Sequence, residues 1–265
     1  MSWNLFKGTM HQRRKPLFWF SFSLVAYSWM MVWFWPQMGG AEYAELAESM
    51  PPEMIALFGD AELSLASLGG YFQTEYLGLM WMVIVAAALI GYAAKMIAGE
   101  VNGGTMELLL SQPLSRSKFI LTRMAGLVLQ VLLLSAATFV PIQILGPGYD
   151  IELTAKVFWL LFGLGSLLML AIGSFAFMVS ALSRDGGRPT TLTSAVIAGM
   201  WIASFLADVS DFADALDPFN LLSYWEPGKV INNGALATNA WWVYAGVSVV
   251  CLVIAYIGFM RRDVA

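Results

Sequence analysis

The sequence predicts an all-α membrane protein with six transmembrane helices. An N-terminal interfacial helix, a short cytoplasmic helix between spans 2 and 3, and outer helical segments before spans 2 and 6 complete the expected fold. Three observations predict it. Of 265 residues, 59% are hydrophobic and 12% are charged, where a soluble domain carries roughly 25% charged residues. Six apolar runs are long enough to cross a hydrocarbon core, which takes about 20 residues as helix. The basic residues collect on one side of those runs. Backbone groups in lipid find no water to bond, so helices rather than open strands are expected.

The spans read Leu17–Met38, Tyr76–Ala98, Phe119–Leu145, Val157–Leu182, Thr190–Ala207 and Ala240–Met260, within one domain covering residues 1–265. With both termini placed in the cytoplasm, every Lys and Arg of the 14 falls on the inner side except Lys156 and Lys229. Positive charge resists translocation, so this asymmetry orients the bundle. The acids do the reverse: of 18, only Glu100, Glu107, Asp185 and Asp263 lie inside. The net charge of -4 averages two unlike faces and says little about partners. One cysteine, Cys251, rules out an intrachain disulfide. The first span is too long and too rich in tryptophan to be a secretory signal.

Residues 1–16 are expected to lie at the interface as a helix. Trp3, Phe6 and Met10 share one side, Lys7, His11 and Arg14 a neighbouring one, and Pro16 marks the turn into span 1. The first outer segment, 39–75, carries Glu42, Glu45, Glu48, Glu53, Asp60, Glu62 and Glu75 and no Lys or Arg. Solvation is the plain reading of these acids. A short helix starting at Ser49 and ending at Gly59 is expected within it. The second outer segment, 208–239, places Asp208, Asp211, Asp214 and Asp217 in steps of three. Such steps drift around a helix and do not converge on one ion. Phe212, Leu216 and Phe219 suit a short helix folded back toward the membrane, and Trp225, Trp241 and Trp242 suit an aromatic belt.

Small residues mark close helix packing. Ala195, Gly199, Ala203 and Ala207 recur every four residues in span 5. Looser versions run through span 2 (Ala86, Ala87, Gly91, Ala94, Ala98) and span 4 (Gly165, Ser166, Gly173, Ser174). Packing within one chain and contact between two chains both explain such stripes.

Catalytic patterns are mostly missing. The one histidine, His11, lies in the basic tail, and no His, Cys and carboxylate cluster has metal spacing. Span centres lack the acids and bases that ion-coupled carriers use. The phosphate-cradling loop of ATPases is also absent, so any ATP would be handled by another polypeptide. Lys95 and Glu75, near the ends of span 2, are expected to snorkel.

The string Glu100-Val-Asn-Gly-Gly-Thr-Met-Glu-Leu-Leu-Leu-Ser-Gln-Pro-Leu-Ser-Arg116 is the richest in the chain. Gly103 and Gly104 break the second helix as it leaves the membrane. Thr105 and Glu107 suit a helix start, and Leu108, Leu109 and Leu110 form an apolar tip. Pro113 stops that helix and Ser115 caps span 3. Three leucines held against cytoplasm call for lipid or a protein groove.

This string resembles the cytoplasmic signature of type-2 ABC transporter permeases, and the resemblance extends over nearly the whole chain. It implies a coupling helix made by Glu100, Gly104, Thr105, Glu107 and Leu108–Leu110, with Pro113 and Arg116 setting its exit. Many members carry a second acid beside Glu100, where this chain has Val101 and Asn102. The resemblance further implies a non-catalytic permease in the plasma membrane, most readily an exporter. It implies a separate cytoplasmic ABC ATPase that binds ATP and Mg, and a second or sibling permease; the chain itself holds no cofactor or metal. It favours spans 2 and 5 at the interface of two permeases, where Met82, Trp201 and Phe205 are the expected pathway residues beside the Ala195–Ala207 stripe. No nucleic-acid partner is expected. The alternatives are a non-transporting membrane assembly or sensor subunit that binds an ATPase, and an intramembrane enzyme.

Overall fold

The computed structural model describes residues 3–38, 67–104, 115–183, 185, 187–206, 215–236 and 239–261. Among these residues the regular structure is entirely helical. Five helical stretches are long and apolar enough to cross a bilayer: Leu5–Gln37, Leu79–Met96, Arg116–Tyr149, Ala155–Leu182 and Ala240–Arg261. In chain order the helices are α1 (Trp3–Met38), α2 (Leu68–Tyr71), α3 (Leu79–Met96), α4 (Ala98–Asn102) and α5 (Arg116–Leu145). They continue as α6 (Ala155–Leu182), α7 (Arg188–Leu206), α8 (Pro227–Asn233) and α9 (Ala240–Arg261). The expected span Thr190–Ala207 corresponds to α7, which is not among the five.

The core sits where α3, α5 and α6 meet. α9 packs chiefly along α6, α1 along α5, and α7 lies at the edge against α3 and α6. Glycines in α6 allow the close approach. A Cβ at Gly165 would come within 2.9 Å of the Phe139 ring, and one at Gly173 within 2.9 Å of Leu127. Ser166 donates to Ser135 Oγ of α5 at 2.8 Å. The small residues of α6 therefore serve packing within the chain.

Several buried polar groups are paired across helices. Trp81 Nε1 donates to Thr138 Oγ1 at 3.0 Å, and Gln130 Nε2 to the Ala88 carbonyl at 3.1 Å. Ser28 and Tyr76 share a hydrogen bond of 2.6 Å, and Ser28 also donates to the Thr138 carbonyl. In an apolar medium each such group left unpaired costs several kcal/mol, on the order of 2–7.

The N-terminal segment departs from expectation. No turn occurs at Pro16: α1 runs unbroken from Trp3 to Met38 with Pro16 inside it. An interior proline removes one backbone bond and costs roughly 3 kcal/mol. Contacts on the buried face offset this. Arg13 donates to the carbonyls of Gly91 and Tyr92 on α3, and Thr9 accepts from Arg123 of α5. Pro16 itself is on the exposed side. Trp3 stacks on Phe6 at 5.7 Å, and Lys7 lies 5.3 Å from the Trp3 ring centre.

The two ends of the bundle differ. One gathers the N-terminus of α1, the α3–α4 junction, the start of α5 and the ends of α6 and α9; it is the basic end. Ala98 N donates there to Ser180 Oγ of α6 at 3.1 Å, and Ser117 and Tyr256 share a hydrogen bond. At the opposite end α2, the π-helical turn Phe72–Leu77 and α8 form a seam. Gly69 N donates to Asn232 Oδ1 and Gly228 N to Gln73 Oε1, both at 2.9 Å. Asn232 Nδ2 donates to Ser67 Oγ at the same distance. Gly69 and Gly228 lie back to back, so a Cβ on Gly69 would collide with the Gly228 carbonyl oxygen.

Trp225 belongs to this seam, not to an aromatic belt. It is buried, stacks on Trp81 at 4.9 Å and donates Nε1 to the Leu77 carbonyl at 2.8 Å. The π-turn supplies that acceptor. Gly78 N donates back to Gln73 O across this turn, and Leu77, one residue before the N-cap of α3, keeps its carbonyl outside the α3 ladder and open to the indole. Trp241 is half-buried against Gly163, and Trp242 is 80% exposed as a belt residue would be.

Candidate functional site

Two places gather the residues singled out by sequence. The first is the basic end, where the chain leaves and re-enters the bundle around residues 100–116. α3 stops at Ile97, whose φ of -130 and ψ of -65 are not helical, and helix resumes as α4 at Ala98. At the break Ser180 accepts the Ala98 N–H. α4 ends at Asn102, and Gly104 adopts φ +68, the left-handed conformation that favours glycine after a helix. On the return side, Ser115 caps α5 by accepting from Lys118 N at 3.3 Å, with Arg116 as first helical residue. Thr105, Glu107, Leu108, Leu109, Leu110 and Pro113 lie outside the described residues, as does the helix expected after Ser49.

Glu100 points into the bundle. Its carboxylate lies 3.3 Å from Arg123 Nη2, with side-chain exposures of 16% for Glu100 and 2% for Arg123. Arg123 Nη1 donates to Thr9 Oγ1 at 2.7 Å and to Met96 Sδ at 3.2 Å. Its guanidinium also sits 5.1 Å from the centre of the Phe119 ring. Tyr92 closes the cluster: its hydroxyl donates to the Arg123 carbonyl at 3.0 Å, and its ring lies 5.6 Å from the Arg13 guanidinium. One node thus joins α1, α3, α4 and α5. By sequence alone, Arg13 and Arg123 read only as orienting charges. The available signal was position: Arg123 falls inside an apolar run, where a charge needs a partner.

The second place is a groove of about 530 Å³ between α3 and α7. Met82 and Trp201 both line it, with Leu79, Val83 and Ile197; Thr190 and Ser194 supply hydroxyls. The α7 stripe faces away from its own bundle. Ala195 and Gly199 are exposed, Ala203 is half-buried, and a Cβ at Gly199 would meet nothing within 4 Å. Ala207 and the Phe205 side chain lie outside the described residues.

A helical membrane bundle with this cytoplasmic-type signature defines a class, and comparison with known proteins agrees. The family model described as "ABC-2 family transporter protein" matches residues 7–264, so the chain belongs to that family of multi-pass membrane transport components. It is also similar to a Bacillus subtilis (strain 168) protein named "Uncharacterized protein YhcI", 26% identical over 231 residues. That match covers 77% of this chain and 73% of the relative. Family membership makes the chain a permease subunit of an ABC transporter and implies an ABC ATPase as its partner and a lipid bilayer as its solvent.

Proposed function

We propose that this chain is the permease of an ATP-driven exporter in the plasma membrane, with six spans, α7 being the fifth, and both termini cytoplasmic. A separate ATPase binds ATP and Mg. Two permeases, identical or siblings, form the path, with α3 and α7 at their interface. Residues 100–116 form the coupling segment that the ATPase pushes on as it closes. The equilibrium between two arrangements of the permease halves then shifts with nucleotide.

The observation that carries this reading is the placement of the segment. The chain leaves the basic end at Gly104 and returns at Ser115, the end that also holds the N-terminal part of α1 and the end of α9, which supports a cytoplasmic-side segment between them. That is the end expected to face the cytoplasm. Exposed Ala195 and Gly199, with the groove holding Met82 and Trp201, support α3 and α7 as the faces available to a second copy.

The test is co-purification with the partner ATPase in nanodiscs. Changing Leu108, Leu109 and Leu110 to Asp is expected to abolish stimulated ATP hydrolysis while the bundle still assembles. Full stimulation in that variant refutes the coupling role. ATP hydrolysis without ATP-dependent solute movement in reconstituted vesicles would instead favour an assembly or sensor subunit.

A further inference from the structure

We propose that Arg123 is a positioning residue: it latches Glu100 across the α3–α4 break and so fixes the direction in which the chain leaves the bundle toward residue 104. The inference rests on the reading of residues 100–116 as the ATPase contact, because only then does that direction matter for coupling. It assigns Glu100 a role unlike the one the family signature suggests, an inward anchor and not a surface charge offered to the ATPase.

The geometry points this way on three counts. First, the break is real backbone discontinuity. Ile97 is non-helical, and the Ala98 N–H is satisfied by the Ser180 hydroxyl of another helix. A five-turn helix such as α3 therefore does not by itself dictate where α4 points. Second, Arg123 holds both sides of the break with one fork: Nη1 reaches Met96 Sδ before it, and Nη2 reaches Glu100 after it. A planar guanidinium makes such contacts at fixed mutual geometry, which a lysine ammonium does not. Third, the charges favour the closed latch. Arg13 lies within electrostatic reach of Arg123, and both guanidiniums interact with Glu100. Among the described residues Glu100 is the carboxylate facing these two guanidiniums. Withdrawing it would leave two buried cations together, a strongly unfavourable arrangement.

α4 is short, five residues from Ala98 to Asn102. Helices of that length do not persist on propensity alone. The latch and the Ser180 contact hold it, so a push on the segment beyond Gly104 passes through Glu100 to Arg123 and onward to α1 through Thr9. The node makes the N-terminal part of α1 a direct recipient of that push.

The experiment has two arms and uses the full-length chain. In the permease alone, in nanodiscs, amide hydrogen exchange over residues 98–104 is expected to quicken on the order of tenfold in Glu100→Gln and Arg123→Gln, with the centres of α5 and α6 unchanged. In the complex with the ATPase, stimulated hydrolysis is expected to fall on the order of tenfold in each variant and no further in the double variant, because both remove one interaction. Arg123→Lys, which keeps the charge but not the fork, should recover part of the stimulation. Additive losses, or loss with Glu100→Gln and none with Arg123→Gln, would mean that Glu100 meets the ATPase directly and would overturn the latch. Unchanged exchange at 98–104 would overturn it as well. If Arg123→Gln fails to assemble, Glu100→Gln and Arg123→Lys carry both arms: quickened exchange with Glu100→Gln supports the latch, and wild-type exchange and stimulation in both variants overturns it. A wild-type chain that stimulates no ATPase sinks the coupling reading instead, and the exchange arm then decides the latch by itself.

Discussion

The two ends of this bundle are held by opposite means. At the basic end, side chains do the joining: Arg13, Arg123 and Glu100 reach between helices, and the Ser180 hydroxyl takes the Ala98 N–H. At the other end the backbones themselves meet, Gly69 against Gly228, with Asn232 and Gln73 stitching amide to amide. A contact made by glycine backbones has little room to move, since packed interiors resist even a methyl group. One made by side chains keeps the geometry of its fork yet lets the helix backbones on either side shift around it. The difference teaches where movement is affordable. Under the proposed coupling, the end that receives the push is the one joined by side chains, and the end joined by glycine backbones is the stiffer of the two.

Bulk should harm the rigid end most. Gly228→Val is expected to destabilise the chain by about 3 kcal/mol, since even a Cβ would lie 2.7 Å from Gln73 Oε1 and 2.8 Å from the Gly69 carbonyl oxygen. The unfolding midpoint in detergent measures it. A midpoint within a degree of wild type would remove the contrast between the ends. Removing a charge from the compliant end should cost less. Arg13→Met deletes two hydrogen bonds to α3 carbonyls but relieves repulsion with Arg123, for a net loss of about 1 kcal/mol. A loss as large as that of Gly228→Val would show that the basic end is equally rigid. Smallest of all is Gly199→Ala. With nothing near its Cβ and a helical position, it should leave the isolated chain unchanged or stabilise it by up to about 1 kcal/mol. The same substitution becomes informative in the assembled transporter. Weaker association of two permeases, read by crosslinking, would place Gly199 at their interface; unaltered association would remove it from there.

Much of the architecture could be read from local pattern. α6 and α9 begin and end within two residues of the apolar runs that announce them, because lipid selects continuous apolar helix. Ser115 as a cap and glycine at 104 were legible for similar reasons, being local chemistry at helix ends. What local pattern does not carry depends on partners far away in sequence. Pro16 looks like a helix stop, and only the bonds of Arg13 and Thr9 to α3 and α5 explain why it is not. Trp225 looks like an interface residue until the π-turn presents the Leu77 carbonyl to it. Arg123 looks like an orienting charge because its partner Glu100 is separated from it by the segment that drew attention. Of the expected coupling residues, Glu100, Gly104 and Arg116 have a described place; of the expected pathway residues, Met82 and Trp201 share one groove.

The glycine seam also constrains how the molecule is made. Its hydrogen bond from Gly69 to Asn232 joins points 163 residues apart. At ribosomal speeds of roughly 5–20 residues per second, that is on the order of ten seconds between the synthesis of one half and of the other. Throughout that wait the early half sits in the membrane with its amides unanswered. Nascent chains halted before residue 228 should therefore be sensitive to quality-control proteases, and they should lose that sensitivity only once the late half arrives.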